Sequence, residues 1–298
     1  MSEVSPVEVL RKVAAAIPES VRGNVIVVGS LAAGYSFFAD EAERTVRTKD
    51  VDCALVPRSA AVGSGQEITA RLLEAGWRWR GTQEFAEPAS EGTPDDELPA
   101  VRLNPPDSAE WFVELLTVPD AGEQQSKEWT RIVVSGQHYG IPSFRFMSIS
   151  TFEPMQTPFG IMCAQPKLMA LANLLEHPLI RPDVMSALIE GRSIKRSNKD
   201  LGRSVAIARL SGPDEVAEWH ADWFRALTTC LPDTFRDVGA STGEGLRELL
   251  ASPDDLDEAW STATQGLLAS IETSLEQFGF TGQRLLADAV EPLERACM

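Results

Sequence analysis

From Asn24 to Val28 the chain is apolar and largely β-branched, the pattern of a buried strand. Gly29-Ser30 interrupts it, and Leu31 to Phe38 then reads as the start of a helix with Ser30 as its N-cap. A second strand is predicted over Asp50 to Val56. Upstream, Val4 to Ala16 has helical spacing and opens at Ser5-Pro6, a cap followed by proline in the first turn. Downstream, Pro57 to Gly65 reads as a Ser/Ala/Gly loop and Gln66 to Ala75 as a helix closed by Gly76. Trp77 to Arg80 starts an extended segment. Thr82 to Leu98 carries Pro88, Gly92, Pro94 and many acids and reads as a mobile surface loop. Val101 to Leu103 and Glu110 to Thr117 are predicted as paired strands about an Asn104 to Asp107 turn, with further strands over Arg131 to Val134 and Ser143 to Ile149.

From Ala164 the pattern changes to helical. Pro166 to Leu175 and Asp183 to Ile189 are predicted helices, separated by a connection that Pro178 and Pro182 punctuate. Ser197 or Asn198 is placed to cap a helix running through Ile207, and amphipathic helices follow Pro213. The expectation is a mixed α/β (α+β) domain over residues 1–160 and a helical domain over 161–298.

A strand, a tight Gly-Ser turn and a helix N-terminus together make an anion site, because unsatisfied N–H groups and the helix dipole favour phosphate there. Asp50 and Asp52 stand two apart on the next strand and so share a face. Paired carboxylates hold hard cations such as Mg2+, and two like charges on one face are costly without one. Each feature alone is common and structural; their order, with carboxylates opening an apolar strand, is more specific. Glu114 shares a face with Phe112 and Leu116, which suits either a ligand role or a strand end that meets water.

Val28-Gly29-Ser30 followed by Lys49-Asp50-Val51-Asp52 resembles the signature of the nucleotidyltransferase superfamily, the polymerase-beta-like fold. Arg47-Thr48-Lys49-Asp50-Val51-Asp52 is similar to the form found in bacterial members, including abortive-infection-type toxins. Trp111 to Pro119 resembles the strand that carries the third family carboxylate, which gives Glu114 that role. The interval from Ser30 to Asp50 is longer than the usual spacing. Around Lys167 and Lys199 the chain resembles two family helices whose lysines face the nucleotide, although Arg203 stands where the second motif has an aspartate.

The resemblance implies a nucleotidyltransferase-type mixed sheet with flanking helices, followed by a helical domain. It also implies an enzyme that moves a nucleoside monophosphate from an NTP to a hydroxyl acceptor with two Mg2+ or Mn2+ ions. Asp50, Asp52 and Glu114 would be catalytic residues and metal ligands. Gly29, Ser30, Arg47, Lys49, Lys167 and Lys199 would bind the nucleotide. Arg47 suits phosphate or an ion pair with Asp40, Glu41 or Glu43. The acceptor is a small molecule, a protein or RNA, and by resemblance alone the chain is a candidate toxin with an antitoxin partner. The rival reading keeps the fold as a non-catalytic nucleotide-binding or interaction module; a metal-dependent phosphohydrolase ranks lower.

The formal net charge is −17, the opposite of a general nucleic-acid binder. Glu84 to Glu97 and Asp254 to Glu258 concentrate acid, while Arg192, Lys195, Arg196, Lys199 and Arg203 form one basic cluster that keeps RNA in play. Cys53, Cys163, Cys230 and Cys297 are scattered and read as free thiols. His138, His177 and His220 lack ligand spacing; the first two read as surface or capping residues. No apolar run has membrane-span length and no secretory signal opens the chain, so a cytoplasmic, non-membrane protein is expected. Trp77, Trp79, Trp111 and Trp129 read as packing residues rather than base-stacking ones.

Overall fold

The computed structural model describes residues 2–41, 43–82, 85–120, 127–181, 183–185 and 191–298. They form two compact units. The first comprises Met1–Glu43 and Arg47–Ala164, the second Arg44–Val46 and Gln165–Met298.

In the first unit, β1 (Ser2–Val4) leads into α1 (Pro6–Ala16). Ser5 caps that helix by accepting from the N–H of Glu8, and Pro6 fills the first turn, where its missing N–H costs nothing. After α2 (Glu19–Arg22) comes β2 (Val25–Val28), buried at every position, then α3 (Gly29–Phe38). Ser30 is not the cap: it lies inside the first turn of α3, the cap position falls on Val28, and no side chain caps it. Gly29, at φ +75°, makes the turn by itself.

β3 (Val46–Thr48) precedes β4 (Asp50–Leu55), whose odd positions are buried and whose carboxylate positions are half-buried. α4 (Arg58–Glu74) overturns the Pro57 to Gly65 loop. The small residues there serve packing rather than flexibility. Ala61 and Ser64 are buried, and a Cβ on Gly65 would lie 2.5 Å from Ile141 Cδ1. β5 (Arg78–Trp79) follows Gly76, which ends the helix at φ +84°.

The segment expected to be a mobile loop packs in its described part. Leu98 is fully buried beyond a short turn at Asp95–Glu97, Ala89 bridges His138, and Arg131 donates to Asp95 (2.7 Å). Residues 83–84, including Glu84 of the acidic stretch, lie outside the described residues. β6 (Arg102–Asn104) and β7 (Phe112–Thr117) pair antiparallel, and β8 (Lys127–Val134) forms a hairpin with β9 (Gln137–Phe144). The strand expected through Ile149 stops at Phe144, and α5 (Met147–Ser150) follows. β10 (Met155–Gln156) and β11 (Met162–Cys163) complete the sheet.

The nine-stranded mixed sheet runs β10-β11-β2-β4-β7-β6-β5, with β9 joining β7 and β8 joining β9. Trp77 and Trp111 are buried in edge-to-face contact at 5.8 Å, and Trp79 meets Tyr139 at 5.2 Å, which places these rings in packing. Burial pushes the Cys53 thiol well up and the Cys163 thiol up to about 12.

The described residues of the second unit after Gln165 form α6 (Pro166–Ile180), a β-bridge of Val184 to Lys195, α7 (Arg196–Ser211), α8 (Pro213–Cys230), α9 (Phe235–Ala240), α10 (Glu244–Ala251), α11 (Pro253–Thr264), α12 (Leu275–Leu285) and, after a π-helical turn at Leu286–Val290, α13 (Glu291–Cys297). Pro178 sits inside α6 rather than in a connection. The bridge at Val184 replaces the start of the helix expected over Asp183 to Ile189; residues 186–189 of that helix lie outside the described residues. Ser197 and Asn198 are buried inside α7, not caps, and Lys195 takes the cap position. Asn198 instead donates to Asp255 (2.8 Å) and Glu258 (2.9 Å) of α11. α13 is docked by Glu294, which accepts from Arg247 Nη1 (2.8 Å) and from the N–H of Gly243 (2.9 Å).

His177 is buried, not a surface residue, and a Cβ on Gly245 would lie 2.3 Å from its ring. Burial holds its imidazole below the ordinary range and Arg181 adds to that, against the opposing pull of Glu248, Glu244 and Asp255. The unfolded chain therefore takes up a proton that the folded one resists, and stability falls as pH drops below about 6.5, the ordinary histidine value. Urea midpoints of wild type and His177→Gln between about pH 7.5 and about pH 5.5 check this. The wild type is expected to lose more stability on acidification than the variant; equal losses would contradict it. Among the described residues no helix is long and apolar enough to cross a membrane.

Candidate functional site

The predicted carboxylates come together on one face of the sheet. In register, Val28 of β2 stands opposite Asp52 of β4, Asp52 opposite Glu114 of β7, and Glu114 opposite Arg102 of β6. Residues in one cross-strand row project to the same side, so Asp52, Glu114 and Arg102 stand side by side. Asp50 is one step along the same face of β4, opposite Phe112. β4 supplies this pattern by alternation: Val51 and Cys53 turn into the core while the two aspartates turn out.

Gly29 closes the other end of the row. At φ +75° its backbone takes a conformation that favours glycine, and a Cβ there would lie 2.8 Å from Asp52 Oδ2. The Asp52 carboxylate thus rests against the start of α3, where the helix dipole favours negative charge. Ser30 is half-buried in the same turn. Thr48 donates to Asp50 Oδ1 (2.9 Å) and fixes that carboxylate at the strand entrance. Lys49 is exposed between β3 and β4, and its carbonyl accepts from the N–H of Phe112 (2.9 Å), which locks the start of β4 to β7.

The row has a charge problem and its own answer. Neighbouring strands lie about 4.8 Å apart, and at an effective dielectric of 20 two like charges at that separation repel by about 3 kcal/mol. Arg102 Nη2 donates to Glu114 Oε1 at 2.9 Å. Burial opposes the Arg102 charge, yet Glu114, followed by Asp50 and Asp52, outweighs it and holds the guanidinium above its ordinary range. Arg102 lies over the Phe112 ring at 5.8 Å, and Arg80 lies over the same ring at 4.6 Å. Sequence reasoning missed Arg102, although it falls in a predicted strand beside the one that carries Glu114.

Arg47 pairs with Glu3 of β1 (2.6 Å) rather than with Asp40, Glu41 or Glu43. Lys167 and Lys199 lie in the second unit, on α6 and α7, where Lys167 pairs with Asp222 of α8. Members of the basic cluster meet acid from α11: Arg192 pairs with Asp257 (2.7 Å) and Lys195 with Asp255 (2.6 Å).

Asp50 and Asp52 supply the hard oxygen donors that Mg2+ or Mn2+ takes, so these two residues fit such an ion. Glu114 stands beside them, with its Oε1 accepting from Arg102 Nη2. Among the described residues no group of three or more His, Cys, Asp or Glu side chains is gathered to hold a metal. No protein-family model, curated protein or solved structure matches this chain.

Proposed function

We propose that the first unit carries a nucleotide site of nucleotidyltransferase type. The observation that carries the reading is the setting of Asp52: the Gly29 turn on one side, Glu114 in register on the other, and Asp50 on the same face. The reaction joins an acceptor hydroxyl oxygen to the α-phosphorus of an NTP, breaks the bond to the bridging oxygen and releases pyrophosphate.

Asp50 and Asp52 would hold Mg2+ or Mn2+, which when bound offsets negative charge on the phosphate oxygens. The other roles belong to the chain. The N–H groups at the start of α3 and the Ser30 hydroxyl hold the terminal phosphates. Lys49, exposed beside Asp50, adds a cation at the entrance. Glu114, next to Asp52, is the carboxylate assigned to take the hydroxyl proton. The net charge of −17 and the acid that pairs with Arg192 and Lys195 favour a small molecule or a protein over RNA as acceptor.

Calorimetric titration of the four NTPs, with and without Mg2+, tests the site. Wild type is expected to bind at least one NTP in a metal-dependent manner. Asp50→Asn/Asp52→Asn is expected to bind it more weakly by tenfold or more, about 1.4 kcal/mol, while remaining folded. Equal affinities would overturn the assignment. The Arg102–Glu114 pair favours a second reading, a non-catalytic nucleotide-binding module. Metal-dependent binding without pyrophosphate release, across an acceptor screen, would favour it.

A further inference from the structure

We propose that Arg102 is the built-in rival of a divalent cation at this face: it holds Glu114 when metal is absent and exchanges that carboxylate for a nucleotide phosphate when metal arrives. The inference rests on the nucleotide-site reading and deepens it by adding a residue that neither the sequence motifs nor their family resemblance assigns.

The geometry suits an exchange rather than a permanent bond. A fixed Arg–carboxylate pair is commonly a two-pronged fork. Here the hydrogen bond to Glu114 comes from Nη2 alone, and the buried Nε–H has no partner. A buried donor without a partner is rare and costly, and marks a group arranged for something else. The guanidinium lies over the face of Phe112, 5.8 Å from the ring centroid, a contact that does not depend on Glu114. Phe112 is itself opposite Asp50, so this support adjoins the metal-facing carboxylates. Arg80, over the same ring, adds a second positive charge.

Charge balance gives the order of events. Asp50, Asp52 and Glu114 carry three negative charges on one face, and all three act on Arg102. Asp50 and Asp52 would hold the ion, whose charge would offset the pull of those two on Arg102 and offer Glu114 a second cation. Glu114 would then turn from Arg102, and the planar fork of Arg102 would face the site with donors that match phosphate oxygens. No bond is made or broken in this exchange; one carboxylate changes its cation.

Mn2+ binding to the full chain without nucleotide, followed by calorimetry, tests the rivalry on wild type, Arg102→Met and Asp50→Asn/Asp52→Asn. Removing the rival is expected to tighten Mn2+ binding by tenfold or more, about 1.4 kcal/mol, and to weaken metal-dependent ATP binding by a similar factor. Equal or weaker Mn2+ binding by Arg102→Met, with binding still lost in the double aspartate variant, overturns the role of Arg102 and leaves the metal site standing. No Mn2+ binding by any form overturns both. Should Arg102→Met be poorly folded without metal, the rise in melting temperature on adding Mn2+ reads the same exchange. It is expected to be larger in the variant than in wild type, and an equal rise overturns the proposal.

Discussion

Truncating Trp223 to alanine is expected to cost the helical unit about 3–5 kcal/mol, the range for removing a large aromatic from a well-packed core. Trp223 on α8 is fully buried, and Trp219, one turn earlier, lies against it at 5.6 Å between ring centroids. Its Nε1–H donates to the carbonyl of Lys167 at 2.8 Å and so ties α8 to the first turn of α6. The truncation removes three things at once: buried apolar area, an aromatic pair and the only polar tether of the ring. Trp223→Phe keeps most of the area but lacks the donor. It gives up the hydrogen bond to the part-buried Lys167 carbonyl and should cost about 0.5–1.5 kcal/mol. Urea denaturation followed by far-ultraviolet circular dichroism orders the two variants. A Trp223→Ala cost below about 1 kcal/mol would mean that the unit collapses around the gap.

The sequence was most legible where one local rule settled the matter. Ser5-Pro6 starts α1 because capping is decided within four residues. Asp50 and Asp52 share a face because β4 alternates. It was least legible where distant segments decide. The small residues from Arg58 to Gly65 resemble a loop, and only their burial against the sheet explains why they form a helix. Arg102 was invisible because its meaning lies in being opposite Glu114, and that register depends on the hairpin rather than on either strand. The basic cluster suited a binding patch and a solvated face equally, because Asp255 stands 60 positions from Lys195 in the chain. His177 before a proline suggested a helix end, yet α6 continues through Pro178 and buries it. A face composed from several strands can be anticipated residue by residue, but which charge faces which is a property of the register.

Gly29→Ala is expected to destabilise the first unit by about 2–4 kcal/mol and to weaken metal-dependent nucleotide binding in the molecules that remain folded. Two costs combine. A residue with a Cβ at φ +75° is strained, by about 1–3 kcal/mol. The new methyl would also lie 2.8 Å from Asp52 Oδ2, inside van der Waals contact, so either the turn or the carboxylate has to move. Because Asp52 is the member of the row that adjoins both α3 and Glu114, its displacement disturbs the phosphate-facing turn and the carboxylate spacing together. Gly23→Ala separates this from a generic glycine effect. Gly23 sits at φ −62° with nothing within 4 Å of an added Cβ, and its replacement should shift stability by no more than about 0.5 kcal/mol. Urea denaturation gives the stability of both variants, and calorimetric NTP titration gives the site. A Gly29→Ala protein with wild-type stability would show that the turn relaxes freely. One that is destabilised but binds NTP normally would show that Asp52 can leave Gly29 without loss, and the nucleotide would then have to be held elsewhere on the unit.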